Sequence, residues 1–319
     1  MTTLKPVMEA HQAAIYFFTV LMAVATTMLV SNTERLDVVI NPALALMLFV
    51  TFLQVPLTEF GKSFTQVRFL GALLVANFIM IPLLIALLLP FFPAEPNLKL
   101  GILLVLLAPC IDYVVTFAHL GRANAARLLA ATPLLLMVQM VMLPFYLALF
   151  IGDAAAGLIV YAPFIDAFIW LIIVPLGLAA LLQGLAARWR PMATIANAFG
   201  YLPVPATALV LFIVVAAVVP PLRATWNTVL LAVPFYLCFA LAAPVLGWLA
   251  GRAFRLDSGS GRAVAFSAGT RNSLVILPLA LAMPGALPLL PAVIVCQTLV
   301  ELLSELIYIR VIPKLHSTR

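Results

Sequence analysis

The chain has 319 residues, 66% of them hydrophobic and 9% charged, with a mean hydropathy of +1.22. A water-soluble domain carries about 25% charged residues, so composition excludes a soluble globular protein and indicates one that crosses a membrane many times. The net charge of +6 does not signal nucleic-acid binding, because the basic residues lie in short loops between apolar runs.

In chain order, Met1 to His11 is short and polar. No small-residue cleavage site follows it, so the first apolar run reads as a retained helix. Ten segments, each about one bilayer span, are predicted over 12–30, 36–55, 69–92, 98–120, 125–151, 164–187, 199–222, 227–250, 261–283 and 288–312. One set of ends and loops holds Lys5, Lys62, Arg68, Arg122, Arg127, Arg188, Arg190, Arg252, Arg255, Arg262, Lys314 and Arg319; the opposite set holds Arg35, Lys99 and Arg223. The two sets alternate without a misfit. Excess positive charge marks the cytoplasmic side, so both termini are expected in the cytoplasm of a chain in the cell inner (plasma) membrane. The cysteines Cys110, Cys238 and Cys296 all fall inside apolar runs and suggest no secreted disulfide framework.

Segment four contains Leu107-Ala108-Pro109-Cys110-Ile111-Asp112-Tyr113. Pro109 lacks an N–H and clashes with the preceding turn, so the helix should break there. Broken backbone and ionisable groups are costly in hydrocarbon unless they face protein or a watery cavity. Ten segments divide into two halves of five, 1–155 and 156–319, and an odd repeat reverses its direction in the membrane. Segment nine, the counterpart of segment four, carries Ser267-Ala268-Gly269-Thr270-Arg271-Asn272-Ser273, equally polar and centred on a glycine. Interrupted helices at matching places in two halves mark a transporter site. In segment ten, Gln297, Glu301 and Glu305 are spaced i, i+4, i+8 and share a face, which should turn inward.

These residues resemble the bile acid:sodium symporter superfamily and, within it, the arsenite efflux permeases. The resemblance is carried by Leu107-Ala108-Pro109-Cys110, by the Asn272 turn and by Leu299-Val300-Glu301, with weaker echoes at Asn77 and Gln139. It implies an all-α fold of ten transmembrane helices, a five-plus-five inverted repeat in which broken helices four and nine cross in a core domain beside a panel domain. It also implies that Cys110 and Glu301 serve substrate and proton. The sodium-coupled members usually carry a Glu where this chain has Ser267, and Arg271 nearby repels a cation, which disfavours sodium coupling. The arsenite permeases usually have a small residue at Asp112, and Asn at Ala118 and near Pro133.

Trivalent arsenic is thiophilic, and a lone thiol can bind it and let it go, so Cys110 is the expected metalloid ligand; the alternative is a small packed hydrophobe. Asp112 is either a proton carrier and partner of Arg271 or a cap on the second half-helix. Arg271 is expected to pair with Asp112 or Glu301 or to bind backbone carbonyls, with contact to an anionic substrate as the sharper idea. Asn272 and Ser273 should satisfy the opened backbone and could touch substrate. Glu301 and Glu305 are the expected proton-coupling groups, because a proton neutralises a mid-membrane carboxylate cheaply. The expected partners are protons, a small inorganic oxyanion or metalloid, the bilayer and, as one option, a second copy in a homodimer. No nucleic acid, cofactor or enzymatic activity is expected. The reading is arsenite or antimonite export by proton antiport. The rivals are an organic-anion symporter, coupled to sodium or protons, and a non-transporting membrane sensor.

Overall fold

The computed structural model describes residues 4–54, 66–111, 113–152, 166, 169–222, 226–281 and 289–315. Among them regular structure is helical throughout, joined by one isolated antiparallel bridge between Pro109 and Arg271. We number the helices α1 (Leu4–Ala10), α2 (Gln12–Leu29), α3 (Asp37–Phe52), α4 (Val67–Phe91), α5 (Pro96–Leu106), α6 (Val114–Leu120), α7 (Ala125–Ile151), α8 (Val174–Ala186), α9 (Arg190–Phe199), α10 (Pro203–Leu222), α11 (Trp226–Ala253), α12 (Ser258–Gly269), α13 (Ser273–Leu281) and α14 (Leu289–Leu315). Six described helices are long and apolar enough to cross a membrane: Thr33–Phe52, Val67–Phe91, Ala125–Ile151, Pro203–Pro220, Trp226–Ala253 and Leu289–Leu315. Large apolar side chains such as Leu46, Leu83, Phe145 and Leu241 stand exposed on them. Water would penalise that surface and hydrocarbon would not, so this is a polytopic membrane protein.

Two stretches read from sequence as polar ends or loops are helical instead. Residues 4–10 form α1, where Lys5 and Glu9 lie one turn apart at 3.9 Å. Arg190–Phe199 forms α9, which opens with Pro191 in its first turn, where a missing N–H costs nothing.

The chain divides into two compact units, Met1–Glu59 with Tyr161–Ala224 and Phe60–Val160 with Thr225–Arg319. The first gathers α1–α3 and α8–α10. In it α10 packs against α2 and α3, and α3 against α8. Tyr16, Ile40, Leu44, Met47, Val210 and Leu211 are buried there. Gln183 donates to the Leu53 carbonyl at 3.2 Å, which serves an orphan acceptor just past the end of α3.

The second unit gathers α4–α7 and α11–α14. Its closest helix pair is α11 on α12. A Cβ on Gly247 would lie 2.7 Å from the Val264 carbonyl oxygen and 2.8 Å from Ala265 Cα, and Gly251 meets Gly261 Cα at 3.0 Å. The Gly247/Gly251 pair is a small-xxx-small seam that lets two backbones touch. Gly247→Leu should therefore force α12 away and cost about 1–3 kcal/mol or more, as overpacking does. Thermal unfolding in detergent checks this, with Gly177→Leu, whose added Cβ would meet nothing, as the neutral control.

Capping fixes where α12 begins. The Asp257 side chain accepts from Ser260 N at 2.9 Å and Ser260 Oγ at 2.8 Å, and Arg127 Nη1 donates to it at 2.8 Å. Partial burial pushes the Asp257 carboxyl up, but the Ser260 hydrogen bonds and the Arg127 charge outweigh it and hold it below the usual aspartate range. Asp257→Ala should cost about 1 kcal/mol at neutral pH, chiefly through the lost cap, with the exposed ion pair adding little. Because the folded value is the lower one, this contribution is complete above the ordinary carboxylate value near 3.8. It fades as pH falls through the depressed one. The difference in unfolding temperature between wild type and Asp257→Ala should shrink on that acid side only.

Candidate functional site

Predicted segments four and nine are each two helices, and an isolated antiparallel bridge joins Pro109 of the first to Arg271 of the second. Segment four is α5, which ends at Leu106, and α6, which starts at Val114; segment nine is α12, which ends at Gly269, and α13, which starts at Ser273. In the first, Pro109 cannot donate to the turn before it. In the second, Thr270 turns extended at φ −110°, ψ 134°. The two breaks hydrogen-bond to each other: Cys110 N donates to the Thr270 carbonyl at 3.1 Å, and Asn272 N to the Ala108 carbonyl at 2.8 Å. Each break thus supplies the partner that the other has lost.

Gly269 leads into the second break without a positive φ. Its role is space: a Cβ there would meet Pro244 Cγ and Tyr308 Cε2, both at 2.9 Å. The glycine lets α12 end against α11 and α14.

Helix α14 closes the site. Gln297, Glu301 and Glu305 are all buried, as their spacing predicts, while Leu303, Ile307 and Val311 stand exposed on the other side. Glu301 is bonded to both breaks. Its Oε1 accepts from the Tyr113 hydroxyl at 2.5 Å, and its Oε2 accepts from Arg271 N at 2.7 Å and Gln297 Nε2 at 2.5 Å. Three donors converge on one carboxyl, a pattern that suits a carboxylate. Glu305 differs. Its Oε1 meets the Thr270 hydroxyl, which also lies 2.7 Å from the Phe266 carbonyl, and its Oε2 has no partner among the described residues. One hydroxyl hydrogen faces two acceptors, so both contacts are satisfied only when Glu305 brings a proton.

Arg271 is completely buried. Of the partners the sequence left open, its guanidinium takes backbone carbonyls. Nη1 donates to Leu106 O at 3.2 Å; Nη2 lies 2.8 Å from Ser267 O, 2.7 Å from Ala268 O and 2.8 Å from Asn77 Oδ1. Its tie to Glu301 runs through its main-chain N–H. The Phe239 ring lies 5.2 Å from the guanidinium carbon. Asn77 sits in a π-turn of α4, Ala76–Met80, a local widening often found at functional positions. It also donates to Ser267 Oγ at 3.0 Å.

Cys110 is buried with 0% exposure at the first break. Asn272 caps α13 through Val275 N at 3.4 Å, and its Nδ2 has no partner among the described residues. Ser273 Oγ accepts from Thr298 at 2.8 Å. The two breaks and α14 therefore bring together Cys110, Arg271, Asn272, Ser273, Glu301 and Glu305. Asp112 lies outside the described residues. Gln139 is buried in α7 with both amide atoms unpartnered among the described residues. Cys238 is exposed on α11, and Cys296 is half-buried. Sequence reasoning missed Tyr113 and Thr270, the hydroxyls that hold the two carboxyls; the available signal was a polar atom beside each break.

A buried polar junction of two half-helix pairs in an apolar helical protein is the arrangement of a secondary transporter's binding site. The chain belongs to the Sodium Bile acid symporter family, which it matches over residues 41–224, more than half its length. The members of that family are transporters, not enzymes. The match takes in the first break with Asn77, Cys110 and Gln139, and stops short of the second. No curated protein matches the chain.

Proposed function

We propose that this protein exports arsenite, and with it antimonite, from the cytoplasm as a metalloid/proton antiporter. The observation that carries this reading is the placing of a buried thiol, Cys110, on a break whose backbone is bonded to a second break, with Glu301 gripping both. Cytoplasmic arsenite is the neutral trihydroxide. The Cys110 sulfur forms one S–As bond as one As–OH bond breaks, and the thiol proton leaves with that hydroxide as water. Reversal by water on the far side frees the metalloid. A single sulfur ligand keeps the exchange reversible, which transport requires.

Glu301 supplies the coupling. A proton neutralises the carboxyl and so weakens all three charge-assisted bonds: on Oε2 it competes with the Arg271 main chain and Gln297, and on Oε1 it turns the Tyr113 hydroxyl from donor to acceptor. Protonation therefore loosens the crossing, and deprotonation tightens it. Glu305, beside Thr270, is the second proton-coupling group, and Asp112, Asn272 and Ser273 are assigned to the substrate path, while Arg271 holds the junction together from inside through its carbonyl contacts.

The proposal includes ten transmembrane helices arranged as inverted halves, 1–155 and 156–319. Supporting it, α2, α3, α8 and α10 fall in one compact unit, the first two spans of each half, while the last three of each half fall in the other. The alternation of basic loops supports cytoplasmic termini in the inner membrane.

A second reading has one observation in its favour, the family to which the chain belongs: sodium-coupled symport of an organic anion. Arg271 weighs against it, because its guanidinium is already engaged by four oxygens. The experiment is arsenite accumulation in everted vesicles with and without an imposed proton gradient. Gradient-dependent accumulation above empty vesicles is expected. Accumulation equal to empty vesicles, together with sodium-stimulated uptake of a labelled bile acid, would replace this reading with the second.

A further inference from the structure

We propose that Arg271 is a resident cation: its guanidinium fills a four-oxygen site at the ends of two half-helices that would otherwise take a bare alkali ion, and the chain thereby closes itself to sodium. Three carbonyls form the core of this site. In unbroken helices Leu106 O, Ser267 O and Ala268 O would accept from the N–H groups four residues on, those of Cys110, Arg271 and Asn272. The crossing diverts all three donors, to Thr270 O, to Glu301 and to Ala108 O respectively. Three orphan carbonyls are left pointing out of helix C-terminal turns, where the backbone dipoles are negative. Asn77 Oδ1 joins them from α4. Such half-helix ends and unwound carbonyls are what coordinate alkali ions in transporters.

The oxygens behave as a coordination shell rather than as paired hydrogen-bond acceptors. Nη2 carries two hydrogens but has three oxygens at 2.7–2.8 Å, and Nη1 reaches the fourth at 3.2 Å. Positive charge, more than one-to-one hydrogen bonding, answers this crowding. The guanidinium is tethered, so it cannot dissociate, and a site filled this way carries no sodium gradient into the cycle. The inference concerns the coupling ion and holds whether the substrate is arsenite or an organic anion.

The test needs no substrate. Thermal unfolding of purified wild type, Arg271→Ala and Arg271→Lys is compared in sodium chloride and in choline chloride at equal ionic strength. Wild type and Arg271→Lys, each with its own cation, should unfold at the same temperature in both salts. Arg271→Ala, with the oxygens uncovered, should be stabilised by sodium alone, saturably, by roughly 3 °C or more. A sodium response in wild type, an equal one in Arg271→Lys, or none in Arg271→Ala overturns the proposal. Should Arg271→Ala not fold, Arg271→Gln is used; failure of both to fold even when extracted in sodium also overturns it, because the hole is then not one an alkali ion can fill.

Discussion

Glu301→Gln should stop proton-driven arsenite accumulation at the level of empty vesicles while the protein still folds and enters the membrane. The substitution preserves shape but removes the site at which a proton can be loaded and released. It also turns one oxygen into an NH2 donor: at the Oε1 position the Tyr113 hydroxyl turns to accept from it, whereas at the Oε2 position it faces the Arg271 N–H and the Gln297 amide, both donors. One mispaired buried group costs about 1–3 kcal/mol, enough to lower the unfolding temperature by a few degrees without unfolding the chain. The diagnostic feature is the loss of response to the imposed gradient. Transport by Glu301→Gln that still rises with the gradient would move the coupling role to another group, with Glu305 the next to test.

Cys110→Ala should abolish arsenite transport with little change in stability. Alanine removes the sulfur, and the hydrogen bond that joins the two breaks at this position uses the Cys110 main chain, which any residue but proline supplies. The cavity left by one buried sulfur is small, so the unfolding temperature should drop by no more than a few degrees. Cys238→Ala and Cys296→Ala should transport normally, since neither cysteine lies at a break. Retained transport in Cys110→Ala would take the thiol out of the mechanism.

The features that could be read from sequence are those hydrocarbon makes expensive whatever surrounds them. Pro109 cannot sit quietly in a helix, and two glutamates on one face of an apolar segment must turn inward, so the first break, the second polar run and the buried face of α14 were visible before any coordinates. The partners were not. Arg271 had four destinations open to it because a long side chain reaches many acceptors, and only the diversion of Cys110 N, Arg271 N and Asn272 N reveals which carbonyls are left for it. Tyr113 reads in sequence as another aromatic of an apolar run; its hydroxyl matters because α14 crosses beside it. Gly247 and Gly251 look like ordinary small residues until α12 lies against them. Helix α9 was hidden because its ten residues are too few to span a bilayer and it opens on Arg190-Pro191 in a basic stretch, so in sequence it reads as part of the loop.

The central claim is that the junction of the two breaks is where the metalloid is held, and binding tests it more directly than transport. Radioactive arsenite is equilibrated by dialysis with purified wild-type protein, with Cys110→Ala and with a Cys238→Ala/Cys296→Ala double variant. Saturable binding by wild type and the double variant, absent from Cys110→Ala, is the expected result. Equal binding by Cys110→Ala, or no binding by wild type, would contradict the account.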